Sequence, residues 1–228
     1  MERKKLMKIF AINGSPRKNW NTAKMLENFV AGASSVSQKI ETETIDLYDL
    51  DYKGCRGCGA CKLKGGKSYG KCVQKDDITE LLERMAKADI IVFGSPIYYA
   101  GVTGELRSFM ERFLYPFTAF QKIGGRTIAP KNIRTAFIYT MNVTEAAAEK
   151  LGYPGLLAPL QGTVSRTFGF EPEGLNAYFT YQYSDYSKYV SDLWDVDAKA
   201  KQRDEQFPKD CENAFELGRK MALSVESE

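Results

Sequence analysis

"KIFAINGSPRKNWNTAK", residues 8 to 24, joins two kinds of order. Lys8 to Gly14 is a short apolar run of the sort buried inside a parallel sheet, and from Thr22 to Ala33 the apolar residues Ala23, Met25, Leu26, Phe29 and Val30 recur at helical spacing. The stretch therefore reads as a strand, a tight connection and a helix. In that connection Ser15, Asn21 and Thr22 offer hydrogen-bonding side chains and Arg17 a charge. The helix start adds free N–H groups and the positive end of its dipole. This composition makes a phosphate cradle, although the same residue types also cap ordinary helices. The patterns GxGxxG and GxxxxGK[ST] are missing, which argues against a dinucleotide fingerprint and a P-loop.

Strand-like and helix-like segments alternate onward from this unit. "TETIDL" (42–47) is a second strand, and "DDITELLERMAKA" (76–88) a helix with Asp76 or Asp77 as its N-cap. "DIIVFGSP" (89–96) is a third, fully apolar strand, and "TGELRSFMERFL" a helix with a stripe of Leu106, Phe109, Met110, Phe113 and Leu114. Residues 115–133 are rich in Pro and Gly and read as an insertion or lid. Arg134 to Asn142 is a fourth strand, and residues 145–160 are partly helical, broken by Gly152, Pro154 and Pro159. "AYFTYQY" (177–183) is a fifth strand, and residues 196–224 form a closing helix kinked or broken at Pro208. The expectation is one α/β domain over residues 1–228: a doubly wound, five-stranded parallel sheet of order 2-1-3-4-5, with a cysteine loop at 54–75 and a C-terminal extension. In such a sheet ligands bind beyond the carboxyl ends of the strands.

The chain of 228 residues, 43% hydrophobic, is long enough for one large core. Its N-terminus lacks the pattern of a secretory signal, and no apolar run approaches membrane-spanning length. A cytoplasmic protein is expected, with neither a membrane nor a nucleic acid as partner. Histidine is absent, which excludes histidine triads and points to a cofactor that brings its own reactivity.

Between Lys53 and Lys75 the chain carries seven basic residues and no acidic one, although the net charge of the whole is only +3. Within this loop "GCRGCGACK" (54–62) sets Cys55, Cys58 and Cys61 at intervals of three, and Cys72 follows. The C-x2-C-x2-C run matches the ligand spacing of four-iron clusters. Zinc, whose usual ligands come as two separated pairs, and unligated or reversibly oxidised thiols are the alternatives. The basic surround offsets the charge of a cluster and equally favours thiolates.

The loop after the third strand, "GSPIYYAGVTG" (94–104), supplies a stiff turn at Pro96, the flat faces of Tyr98 and Tyr99, and Gly101 and Gly104 for close backbone approach. A planar ring system fits such a loop.

"INGSPRKNWNT", "GCRGCGACK…GKCVQKDD" and "DIIVFGSPIYYAGVTGELRSFMERF", in this order over residues 7 to 142, resemble the flavodoxin-like NAD(P)H-dependent FMN reductases, and within them the iron–sulfur flavoproteins. The resemblance implies that Ser15, Arg17, Asn21 and Thr22 hold the FMN phosphate. It implies that Pro96, Ile97, Tyr98, Tyr99 and Gly101 border the isoalloxazine, with Thr140, Met141 and Asn142 completing the site. Cys55, Cys58, Cys61 and Cys72 would be the ligands of a [4Fe–4S] cluster. Two features depart from the family pattern: Trp20 stands where a small residue is usual, and the spacer from Lys62 to Lys71 is longer. The expected activity is electron transfer from NAD(P)H through FMN to a quinone, a second flavin or another small acceptor, with no catalytic side chain named. The alternative is an electron-transfer module served by a ferredoxin-like partner, and a weaker one a phosphate-ligand binder without flavin. The family habit and the aromatic stretch Phe113 to Phe120 imply a homodimer or homotetramer.

Overall fold

The computed structural model describes residues 6–121 and 125–226; the N-terminal "MERKK" and the middle of the insertion, residues 122–124, lie outside the described residues. Five parallel strands, β1 (Met7–Asn13), β2 (Ile40–Asp46), β3 (Ile90–Pro96), β4 (Arg134–Thr140) and β5 (Glu173–Ala177), form one sheet in the order β2-β1-β3-β4-β5. This is the expected doubly wound, flavodoxin-like topology. The register pairs Ile9 of β1 with Ile90 of β3, and Ile90 with Arg134 of β4. The carboxyl ends of these three strands therefore finish side by side.

Helices α2 (Thr79–Met85), α3 (Gly104–Leu114) and α5 (Tyr153–Phe168) cover one face, where Phe93 and Phe137 meet Phe109, Phe113 and Phe168. Helices α1 (Asn21–Ser34) and α7 (Phe207–Glu226) cover the other, where Ile9, Val92 and Ile138 meet Met25, Phe29 and Met221. Both faces of β3 are buried, which is why its sequence is a continuous apolar run rather than an alternating one. Helices α1 and α7 touch backbone to backbone. A Cβ at Gly32 would lie 1.9 Å from the carbonyl oxygen of Phe215, and one at Gly218 2.0 Å from that of Phe29.

Three local expectations are corrected. The aspartates do not cap α2: its N-cap is Ile78, without a side-chain bond, and the Asp76 carboxylate is instead drawn to Arg112. Pro159 does not break the helical segment. The break is at Gly152 (φ +72°), which separates α4 (Glu145–Lys150) from α5, and Pro154 occupies the first turn of α5, where no N–H is needed. The fifth strand is Glu173–Ala177 and not 177–183, because only these residues pair with β4. Beyond them Phe179 takes a left-handed conformation (φ +53°), and the aromatic run crosses over the carboxyl edge as a strap. The break expected in the closing helix near Pro208 is present: a π-helical turn at 202–206 joins α6 (Val196–Lys201) to α7 just ahead of it. A wider turn there relieves the clash of the proline ring with the carbonyl four residues earlier.

Candidate functional site

The loop from Asn13 to Asn21 folds around buried polar contacts. Asn13 donates from Nδ2 to Asp46 (2.7 Å) and accepts the Ser15 N–H on Oδ1 (3.0 Å), while the Ser15 hydroxyl accepts the Arg17 N–H (3.1 Å). Helix α1 starts after Trp20 with no side-chain cap, so its first-turn donors and positive dipole end face the loop. Ser15 and Thr22 are buried at this point. The Thr22 and Thr140 hydroxyls lie 2.8 Å apart, so the loop after β1 and the end of β4 meet directly. Gly94 permits that approach, since a Cβ there would fall 2.6 Å from Leu26 and 2.9 Å from Thr22.

The loop after β3 is a two-residue reversal. Tyr98 and Gly101 exchange both backbone hydrogen bonds (2.9 and 3.0 Å), and Tyr99 and Ala100 between them both have positive φ (+49° and +63°). Non-glycine residues rarely adopt this conformation, and such strain gathers at functional loops. It leaves the Tyr99 ring fully exposed beside the carboxyl edge. Ile97 is tied to β4 through its N–H to the Thr140 carbonyl (2.9 Å). Thr103 caps α3 and donates from Oγ1 to the Gly14 carbonyl (2.7 Å), locking the loops after β1 and β3 together.

Residues 178–182 close the edge from the β5 side. The Thr180 N–H donates to the Met141 carbonyl (2.9 Å). Arg17 donates to the Gln182 carbonyl, and Trp20 Nε1 (3.0 Å) and Asn21 Nδ2 (2.9 Å) both donate to that of Tyr181. The structure thus brings the cradle, the Tyr98 turn and Thr140 to Asn142 to one edge, and commits the Arg17 and Asn21 side chains to the strap. Trp20, the unusual residue of the cradle, is a strap anchor. Behind Asn142 sits Lys199 of α6, fully buried, whose Nζ donates to the carbonyls of Asn142 (3.3 Å), Phe179 (3.5 Å) and Thr180 (3.2 Å). Burial pushes its pKa down to about 8. Nothing in the local sequence around Lys199 signals this role.

Cys55, Cys58, Cys61 and Cys72 line a single small cleft together with Glu111, Arg112 and Tyr115. The cleft has room for about 20 Å3, roughly one water molecule. Cys55 and Cys58 are exposed and Cys61 is buried; burial pushes the Cys61 thiol up in spite of Lys62 beside it. All four are free thiols, and among the described residues no three Cys, Asp or Glu side chains are close enough to share one metal ion. Gly57 and Gly59, between the first three cysteines, both have positive φ (+67° and +70°).

The loop is held by a residue outside the sequence motif. Arg112 is fully buried and uses its whole guanidinium: Nε donates to the Cys72 sulfur (3.0 Å), Nη1 to Lys53 O (2.9 Å) and Asp76 (2.6 Å), and Nη2 to Gln74 O (3.3 Å) and Asp76 (3.1 Å). Its signal in the sequence was a charge set against the apolar stripe of α3. On the other side of Cys72 and Arg112 lies a largely apolar cavity of about 340 Å3, walled by Leu82, Phe117 and Ile128.

A doubly wound sheet with an uncapped helix start, a strained turn and a polar strand end at its switch edge defines a flavodoxin-like ligand-binding protein. The chain belongs to the NADPH-dependent FMN reductase family, whose sequence model matches residues 7–151. An iron–sulfur flavoprotein of Archaeoglobus fulgidus is 40% identical over 124 residues, 54% of this chain and 57% of that protein. One from Methanocaldococcus jannaschii is 38% identical over 122 residues, covering 52% and 60%. The match thus spans little more than half the length of these curated relatives. Among solved structures, an NAD(P)H:quinone oxidoreductase from Methanothermobacter marburgensis superposes with a TM-score of 0.67 at 17% identity, covering 93% of this chain and 98% of that one. An FMN-dependent NADH-azoreductase from Bacillus anthracis, in complex with FMN, gives 0.61 at 12% identity, covering 96% and 99%. At these identities the likeness is one of fold. Among the described residues no helix is long and apolar enough to cross a membrane.

Proposed function

We propose that the chain binds FMN at the carboxyl edge of its sheet and passes electrons from NAD(P)H to a small acceptor such as a quinone or a second flavin. The observation that carries this reading is the meeting of the cradle, the Tyr98 turn and the end of β4 at one edge, in a chain of the FMN reductase family. The fit rests on features of this edge: the uncapped start of α1, the buried Asn142 Oδ1 without a partner, and the buried, uncompensated charge of Lys199. Ser15, Thr22 and the first N–H groups of α1 would bind the phosphate, with Arg17 and Asn21 joining them where the strap releases them. Pro96, Ile97, Tyr98, Tyr99 and Gly101 would border the ring on one side, and Thr140, Met141 and Asn142 on the other. Bound flavin supplies the hydride chemistry, so the protein needs no histidine and no side-chain base. Its own residues hold the ring at the strand ends, keep water from the buried Thr22 and Thr140 hydroxyls, and orient donors toward the ring's polar edge. Of the aromatic stretch Phe113 to Phe120, Phe113 and Phe117 are buried in the core and Tyr115 and Phe120 are exposed, so a homodimer or homotetramer rests on the family habit and these two rings. Replacing Arg17 and Thr22 together by Ala should weaken FMN at least tenfold more than riboflavin, which lacks the phosphate. Equal losses, read by titration of the flavin fluorescence, would move the phosphate elsewhere.

A second reading is favoured by the four cysteines around one cleft and by the iron–sulfur flavoprotein relatives. In it Cys55, Cys58, Cys61 and Cys72 hold a [4Fe–4S] cluster, Arg112 supports Cys72 with an N–H···S bond, and the basic loop meets an acidic, ferredoxin-like redox partner. Anaerobically prepared protein should then carry about four iron and four sulfide per chain, lost in Cys58→Ser while flavin stays bound. Iron-free protein with full diaphorase activity would leave the first reading alone.

A further inference from the structure

Lys199 is the one fully buried lysine among the described residues, and no carboxylate answers it. Its three N–H donors are met by three carbonyl oxygens, and the rings of Phe179 and Trp194 lie 3.9 and 5.0 Å from Nζ. These groups solvate the ammonium but do not neutralise it, and an ammonium held out of water without a counter-charge is costly. The charged groups of the elements packed around it have other settings. On α6 and just before it, Asp195 caps the helix and Asp197 is exposed; Arg203 pairs with Asp204. On the strap, Tyr181 lies under Arg203; after β4 the first carboxylate is the exposed Glu145; on α7, the buried Asp210 accepts from Gln206 on Oδ1 and has no partner on Oδ2. None of them forms an ion pair with Lys199.

The carbonyls that hold Lys199 belong to two of the segments closing the carboxyl edge. The third segment, the cradle, is bonded to the same strap through Arg17, Trp20 and Asn21. The cation thus bonds the backbone of Asn142, itself one of the candidate site residues. We propose that Lys199 is a positioning residue whose counter-charge comes from outside the chain: it pins the strap to the loop after β4 and keeps a buried positive charge at this edge for an anionic flavin nucleotide. This inference rests on the FMN reading given above.

Linkage supplies the test. In the free protein burial without a counter-charge pushes the Lys199 pKa down to about 8. A negative ligand nearby raises that value, so binding takes up protons between the free and the bound pKa, and affinity falls as pH rises through this window. Calorimetric titration of the full chain with FMN at pH 8.5, in two buffers of different ionisation enthalpy, should record proton uptake. It should be absent in Lys199→Met, which should also bind FMN roughly tenfold more weakly at pH 7. Lys199→Arg should keep the affinity and lose the pH dependence, because its charge does not titrate in this range. Wild-type protein that binds FMN with no proton uptake, or a Lys199→Met variant with unchanged pH dependence, overturns the inference while leaving the FMN reading intact. Failure of the wild type to bind FMN at any pH overturns both. Should Lys199→Met not fold, the wild-type proton uptake and the Lys199→Arg profile decide.

Discussion

Two buried cations close two regions of this molecule, and only one of them is neutralised within the chain. Arg112 holds the cysteine loop with a bidentate bond to Asp76, so this charge is balanced within the chain. Lys199 holds the carboxyl edge through carbonyls alone. A cation with its own carboxylate is a fastening, complete before any ligand arrives. One without a carboxylate keeps part of its stabilisation in reserve for a ligand that brings negative charge.

The largest effect that would break the comparison lies at Arg112. Arg112→Met removes the ion pair of Asp76 and the donors to the Lys53 carbonyl and the Cys72 sulfur, leaving only the Thr79 hydroxyl on Asp76 and on the Gln74 carbonyl, and should cost about 3–5 kcal/mol in urea unfolding. A loss below about 1 kcal/mol would mean that the cysteine loop is fastened elsewhere. The next effect belongs to Lys199 in the protein without ligand. Its folded pKa of about 8 lies below the ordinary 10.5, so between these values the unfolded chain binds more protons and stability rises with pH. Relative to Lys199→Met, the wild type should gain up to about 1.4 kcal/mol per pH unit from pH 8 to 10. A flat difference would mean that the ammonium has a counter-charge after all. The smallest effect is at Cys58, which is exposed on the loop: Cys58→Ser should change the stability of metal-free protein by less than about 0.5 kcal/mol.

The sheet was legible because its signals are local. The apolar runs of β1, β3 and β4 and the stripes of α1 and α3 each lie within a few turns of chain. The aromatic run 177–183 misled because Tyr, Phe and Thr suit strands by side-chain shape, whereas its hydrogen bonds go to the loop after β4. The cradle, the Tyr98 turn and the cysteine spacing were visible as motifs. The two cations were not, since each acts on partners distant in sequence: Arg112 on Lys53, 59 positions away, and Lys199 on Asn142, 57 away. Periodicity carries no information at that range.

The backbone contact of Gly32 with α7 bears on how the chain assembles. Helix α1 follows the first strand, yet its outer face is sealed by Gly218, close to the end of the described chain. Contacts between such distant segments form only after a long loop has closed, and the closure slows folding. Met25 and Phe29 have their side chains completed by Met221 and Ala214 of α7. During synthesis the cradle-bearing unit must therefore wait, with this apolar face open to chaperones or to aggregation, until α7 has left the ribosome.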